Sequence, residues 1–370
     1  MPVRWHKPPG LRTEKNRKNF RGTGERRASH GIFISGKGVP TNTSLNLRNM
    51  NRHFLLMAAL LTGAAATAQQ WHTLAPSGTV EKRHENALAV VSDRLYLLGG
   101  RGERPVDEYD IAANTWRPGA KAPMEMHHFQ AVTFKDEIYV LGAFTGPYPH
   151  ETPIPDIHIY NPVKKEWRKG PALPADRLRG AAGVTVHNNR IYLVCGIQDG
   201  HWDGHVAWLD EFNPETGAWK TLADAPHARD HLHAAVVDGK LYVAGGRLSS
   251  AKTGKVLNRT VGAVDVYDFR SNTWTTLDST LNIPTKRAGA AAVAWDGKLV
   301  LLGGESDRQV PAHSEVEAYD PRRRQWITLP ALLQGRHGTG AVTHKRKLYI
   351  AAGSANRGGG PELGEVEVYP

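Results

Sequence analysis

The sequence predicts an all-β chain folded as a six-bladed propeller, and three periodic features lead there. Apolar, strand-like runs end in a glycine pair at Leu95–Gly100, Leu241–Gly246 and Leu299–Gly304, with degenerate copies ending at Gly142-Ala143, Cys195-Gly196 and Ala352-Gly353. Downstream of each stands an aromatic residue in a second strand-like run: Tyr109, Tyr160, Phe212, Tyr267, Tyr319 and Tyr369. A tryptophan follows in five copies, at Trp116, Trp167, Trp219, Trp274 and Trp326, and Trp71 stands alone ahead of the first. Self-similarity at a period of ~50 residues marks a radial array of small sheets. The placement of Trp71 predicts that the N-terminal strand supplies the outer strand of the last blade, which removes an open sheet edge.

Within one repeat the elements follow in order. A small-residue inner strand, as in Ala234–Val237, turns at Asp238-Gly239, a two-residue hairpin signal. The second strand runs to the glycine pair, where neighbouring backbones approach too closely for side chains. The third strand carries the tyrosine, and a turn such as Asn213–Gly217 leads to the tryptophan strand.

The glycine pair, the tyrosine and the tryptophan at this spacing resemble the kelch repeat over the whole of 69–370, and the chain is similar to the exported six-bladed members of the galactose oxidase-like kelch superfamily. The resemblance implies fold more than function, because such propellers include adaptors, sugar enzymes and structural modules. Galactose oxidase-like copper enzymes share the propeller, but their chemistry needs a Cys–Tyr thioether, an axial Tyr and two His. Here the one cysteine, Cys195, sits at a glycine-pair position. Sialic-acid mutarotases are also similar. Their acid–base role would fall on Glu85 or Glu305 beside an arginine.

Composition narrows the function classes. The 370 residues carry a net charge of +11, which suggests a nucleic-acid or membrane partner until the charge is located. Residues 1–49 hold eleven Lys/Arg and two Glu, whereas 69–370 hold 35 basic and 34 acidic side chains. The bulk of the chain is nearly neutral, so no nucleic-acid partner is expected. Met50–His53 followed by the apolar Phe54–Leu61 and by Ala66-Thr67-Ala68 reads as a signal peptide over 50–68, too short to span a bilayer. Residues 1–49 then read as a non-native or disordered basic extension. The expected address is periplasmic or secreted, with no membrane span after cleavage, and a single cysteine suits that compartment.

The six blades serve as internal copies of one another. Sixteen residues before the glycine pair stand Arg83, Met126, Arg179, Arg229, Arg287 and Arg336; two before the third-strand aromatic stand Asp107, His158, Asp210, Asp265, Glu317 and Glu367. Five blades have both charges and the second has neither, which predicts structural ion pairs lost together. Residues that break the repeat are the site candidates. Strand parity puts the long loops Phe144–Pro155, Ile197–Ala207, Arg247–Gly262, Glu305–Ser314 and Ser354–Gly364 on one face, the working face. There Glu85, His127, His128, His231, His233 and His337 are expected near the channel mouth, overhung by His201, Trp202, Asp203 and His205. Small residues in blades three and five leave room beside them, and period two predicts that His231 and His233 point the same way. The expected function is a monomeric binding module for a protein or glycan partner, using Glu85, His127, His128, His231, His233, His337 and Trp202. No cofactor or metal is assigned, and a sugar mutarotase is the alternative.

Overall fold

A two-residue turn joins the first two strands of every four-stranded sheet, and in blades four and five it is Asp-Gly. At Asp238-Gly239 and Asp296-Gly297 both residues take positive φ, 47° and 72° and then 49° and 69°. That matches the type I′ turn whose twist suits a tight hairpin. The computed structural model describes residues 69–370. It forms six four-stranded antiparallel sheets. Blade one comprises Asn86–Val91, Arg94–Gly99, Pro105–Asp110 and Thr115–Lys121; blade two, Val132–Phe134, Glu137–Val140, Asp156–Asn161 and Glu166–Ala172. Blade three comprises Gly183–His187, Arg190–Val194, Leu209–Asn213 and Ala218–Thr221; blade four, Ala234–Val237, Lys240–Val243, Asp265–Asp268 and Thr273–Thr276. Blade five comprises Ala291–Trp295, Lys298–Leu302, Val316–Asp320 and Gln325–Leu329. Among the described residues no helix is long and apolar enough to cross a membrane. The expected extension over 1–49 and signal peptide over 50–68 lie outside the described residues.

Blade six closes the ring. Ala341–His344, Lys347–Ala351 and Val366–Tyr369 are joined by His72–Thr73, with His72 opposite Val368 and Thr73 opposite Glu367. Trp71 is 2% exposed, donates from Nε1 to the Pro330 carbonyl at 2.8 Å and lies 5.4 Å from the Tyr369 ring. The other blades repeat this aromatic pair at 4.8–5.4 Å: Tyr109–Trp116, Tyr160–Trp167, Phe212–Trp219, Tyr267–Trp274 and Tyr319–Trp326. Trp71 therefore does for blade six what a following tryptophan does in each other blade.

The glycine pair is where one blade meets the next. A Cβ on Gly303 would stand 2.2 Å from the Arg336 carbonyl oxygen, and one on Gly99 2.3 Å from that of Met126. The second residue of the pair donates to the same carbonyl in blades one and five: Gly100 N to Met126 O and Gly304 N to Arg336 O, both 2.8 Å. Each arginine of the repeat pairs with the acid of its own blade: Arg83 with Asp107, Arg179 with Asp210, Arg229 with Asp265, Arg287 with Glu317 and Arg336 with Glu367. All five arginines are buried and also hold backbone carbonyls, as Arg229 does those of Gly245 and Ala263. In five blades they fasten the second and third strands to the segment that leads into the inner strand.

Candidate functional site

The inner strands open on the long-loop face through one residue per blade: Glu85, His128, Ala181, His231, Gly289 and Gly338. All six take left-handed backbone, with φ between 51° and 62°. This conformation turns each amide toward the preceding blade. His128 N donates to Glu85 O, Ala181 N to His128 O, His231 N to Ala181 O, Gly289 N to His231 O and Gly338 N to Gly289 O, at 2.8–3.1 Å. Asn86 N donates to Gly338 O at 3.1 Å and completes a closed circle of hydrogen bonds around the axis. Side chains at these positions are aimed inward by a rigid rim, which is how a scaffold holds a site.

Blades two, three and four build a histidine cluster on that rim. Between His128 and His231 the rim residue is Ala181, and the space over it is filled by His201 from the third-blade loop. The His201 ring lies 5.1 Å from His128 and 4.6 Å from His231, which are themselves 4.9 Å apart. His201 is held by its amide on Pro149 O, by its carbonyl accepting from Ala251 N, and by Nδ1 on Glu151 at 2.9 Å. Arg101 holds the same Glu151 carboxylate at 2.6 Å. Nδ1 of His231 meets the buried Asp230 carboxylate, which also accepts from the Ser249 amide and hydroxyl. His128 Nδ1 lies 2.6 Å from His127 Nδ1, and the other nitrogen of His127 faces the Gly146 carbonyl at 3.2 Å.

The opposite arc is built from charged groups. Arg247 pairs with Glu305 of the next blade, and both are 2% exposed. His337 Nε2 lies 3.3 Å from Glu305 and 3.6 Å from Glu85, while Glu85 also reaches His128 Nε2 at 3.4 Å. The cluster therefore sets the carboxylates of Glu85, Glu151, Asp230 and Glu305 against the guanidinium groups of Arg101 and Arg247. Four carboxylates thus face two guanidinium groups; His205, 3.3 Å from Asp230, is raised against the pull of burial by that carboxylate and offsets part of the surplus. Burial pulls the Arg247 pKa down, yet Glu305 and Asp230 hold it above the ordinary arginine value. Burial, followed by the Arg247 and His201 charges, lowers His231 to about 4; burial followed by Arg101 does the same for His127. His128 is pushed well down by burial and by its histidine neighbours.

The structure brings some of the expected residues together and separates others. Glu85, His128, His231 and His337 meet at the mouth, and His127 stands behind His128 rather than beside it. His231 and His233 both line the small cavity that Glu85 and His128 share, but not through strand alternation. The inner strand starts only at Ala234 and His231 is left-handed, so strand alternation does not reach it. His233 lines the channel, with burial lowering it to about 4, and is not one of the grouped imidazoles. Trp202 lies in the third-blade loop against His150, with ring centroids 4.7 Å apart and planes tilted by 39°. Glu151, Arg247 and Arg101 were missed, although a signal for the arginines exists. The residue after the glycine pair reads Arg101, Phe144, Ile197, Arg247, Glu305 and Ser354. A position that alternates between apolar and charged side chains breaks the repeat as the histidines do.

Comparison with known proteins agrees with this architecture. Kelch-like protein terF of Aspergillus terreus is 28% identical over 316 residues, covering 80% of this chain and 67% of that protein. Kelch-like protein 38 of Rattus norvegicus is 27% identical over 266 residues, and the match spans 70% of this chain but only 42% of its length. Among solved structures, YjhT superposes with a TM-score of 0.65 at 17% identity, over 79% of this chain and 95% of that one; this is a likeness of fold. The Attractin/LZTR1 β-propeller family matches residues 58–310. With its glycine pairs, paired aromatics and six closed blades, the chain belongs to that family of kelch-repeat propellers.

Proposed function

We propose that this chain is a binding module that takes a glycan through its long-loop face. The observation that carries this reading is the aromatic lip over the polar mouth. Tyr148, 48% exposed, lies 5.2 Å from the His201 ring, and the neighbouring Trp202 and His150 rings pack against each other at 4.7 Å. Flat aromatic faces beside converging carboxylate, imidazole and guanidinium groups suit a sugar, whose C–H faces stack while its hydroxyls hydrogen-bond. The surplus of carboxylates at the mouth favours a neutral sugar over a sugar acid. Isothermal titration of the full chain against neutral and acidic sugars tests the reading. Tyr148→Ala and Trp202→Ala should weaken binding without lowering Tm. If no sugar binds, or if both variants bind as tightly as the parent, the glycan reading fails and a protein partner takes its place.

A sugar mutarotase is the second reading, favoured by the Arg247–Glu305 pair at the mouth, a carboxylate and a cation placed for acid–base ring opening. Anomer exchange of a bound sugar, followed by NMR, should then disappear in Glu305→Gln. Export to the periplasm or exterior rests on the sequence over 50–68 alone, and N-terminal sequencing of native material tests it: a peptide from residues 1–49 would overturn it.

A further inference from the structure

Three ring nitrogens at the mouth have no proton to share and no donor facing them. Asp230 and Glu151 are carboxylates, so Nδ1 of His231 and Nδ1 of His201 must be the donors, which leaves each Nε2 as a bare lone pair. The third tautomer follows from a relay. The Gly146 carbonyl can only accept, so His127 carries its proton on Nε2 and its Nδ1 accepts from His128 Nδ1. His128 Nε2 is therefore also a lone pair, and it faces the Glu85 carboxylate at 3.4 Å. Two acceptors turned toward each other call for a cation. The Nε2 atom of His231 is buried and without a hydrogen-bond partner. One ligand atom from each of His128, His201 and His231 lies within 4.8 Å of the others.

We propose that His128, His201 and His231 form a three-imidazole site for a divalent metal ion of the zinc class, with Glu85 as the carboxylate available for a fourth position. This revises the expectation of no metal. Neutral imidazoles are ligands for zinc and its neighbours rather than for calcium or magnesium, which prefer oxygen. Each ring already has the outer partner that fixes metal-binding histidines, a carboxylate for His201 and His231 and a second imidazole for His128. The unbalanced negative charge favours a cation. Ligands around a tetrahedral zinc lie about 3.3 Å apart, from bonds of about 2.0 Å, so loading draws the three rings inward. The site stands apart from the glycan reading, because the metal alone is the probe.

The full chain, stripped with a chelator, is titrated with zinc by calorimetry and with cobalt(II) by visible absorption. One ion per chain, the d–d bands of nitrogen-bound cobalt and a raised Tm are expected. His201→Ala should abolish uptake, while Glu151→Gln and Asp230→Asn should weaken it about 10–100-fold by freeing the ring behind each ligand. His344→Ala, on an exposed pair with Asp93, should bind as the parent does. His201 is carried by a loop, so its variant should keep the parent far-ultraviolet dichroism; if it does not, His201→Asn replaces it. Failure of the parent to take up zinc or cobalt, or uptake that survives His201→Ala and His231→Gln together, overturns the proposal.

Discussion

Arg83, Arg179, Arg229, Arg287 and Arg336 each pair with an acid of their own blade, whereas the acid nearest Arg247 comes from the next. Both kinds are buried, but their surroundings differ in sign. Burial lowers Arg83 and Arg336, pushes Arg179 down to about 10 and raises Asp107, so these pairs are held against the cost of desolvation. Arg247 sits among surplus carboxylates and is raised instead. The repeated pairs specify how each blade folds onto itself. The unrepeated one belongs to a field of surplus negative charge that links neighbouring blades.

The largest effects should come from the repeated set. Arg83→Met should cost about 3–5 kcal/mol in denaturant unfolding, because it strands the buried Asp107. Adding Asp107→His copies the Met126/His158 state of blade two, so the double variant should lose much less than the two single losses combined. Additive losses would show that blade two has a compensation of its own. Trp71→Ala should cost a similar ~3–5 kcal/mol, as for other buried tryptophans. A silent Trp71→Ala would break the equivalence of blade six with the rest.

Smaller effects are expected at the mouth. Glu305→Gln should cost about 1–3 kcal/mol, since Arg247 still lies 3.8 Å from Asp230. A loss as large as that of Arg83→Met would erase the distinction between the two kinds of arginine. Trp202→Ala, in the third-blade loop, should shift stability by less than about 0.5 kcal/mol, and thermal melts of the two proteins should overlay.

What was legible in the sequence follows the same divide. The Arg83–Asp107 type of pair is written five times at fixed offsets, and Trp71 could be assigned because Tyr369 lacked the partner that every other blade supplies. His128 and His231 were visible as departures from that repeat. Glu151 and Arg247 were not, because their roles arise between loops of different blades. Glu151 meets both Arg101 and His201 across 50 residues, and Arg247 meets Glu305 across 58, about one repeat in each case. Which loop residue leans toward which neighbour is decided by loop conformation, and loop length alone does not encode it. The left-handed backbone of His231, which takes it out of strand alternation with His233, was hidden for the same reason.

The pairing of His72–Thr73 with Val366–Tyr369 has a consequence for how the molecule is made. Of the described strands, the first to leave the ribosome is the last to find its neighbour. At a synthesis rate of about 5–20 residues per second, the nearly 300 residues between them take on the order of 15–60 s to appear. Five blades can fold on local hairpins during that interval, since neighbouring strands follow one another in the chain. The segment around Trp71 must remain uncommitted throughout, with its indole exposed, and the edge at Val366–Tyr369 is open to other chains until the two meet. Closure is thus a single long-range event that converts an open array into a ring, and the time spent before it is when the chain is most exposed to mispairing.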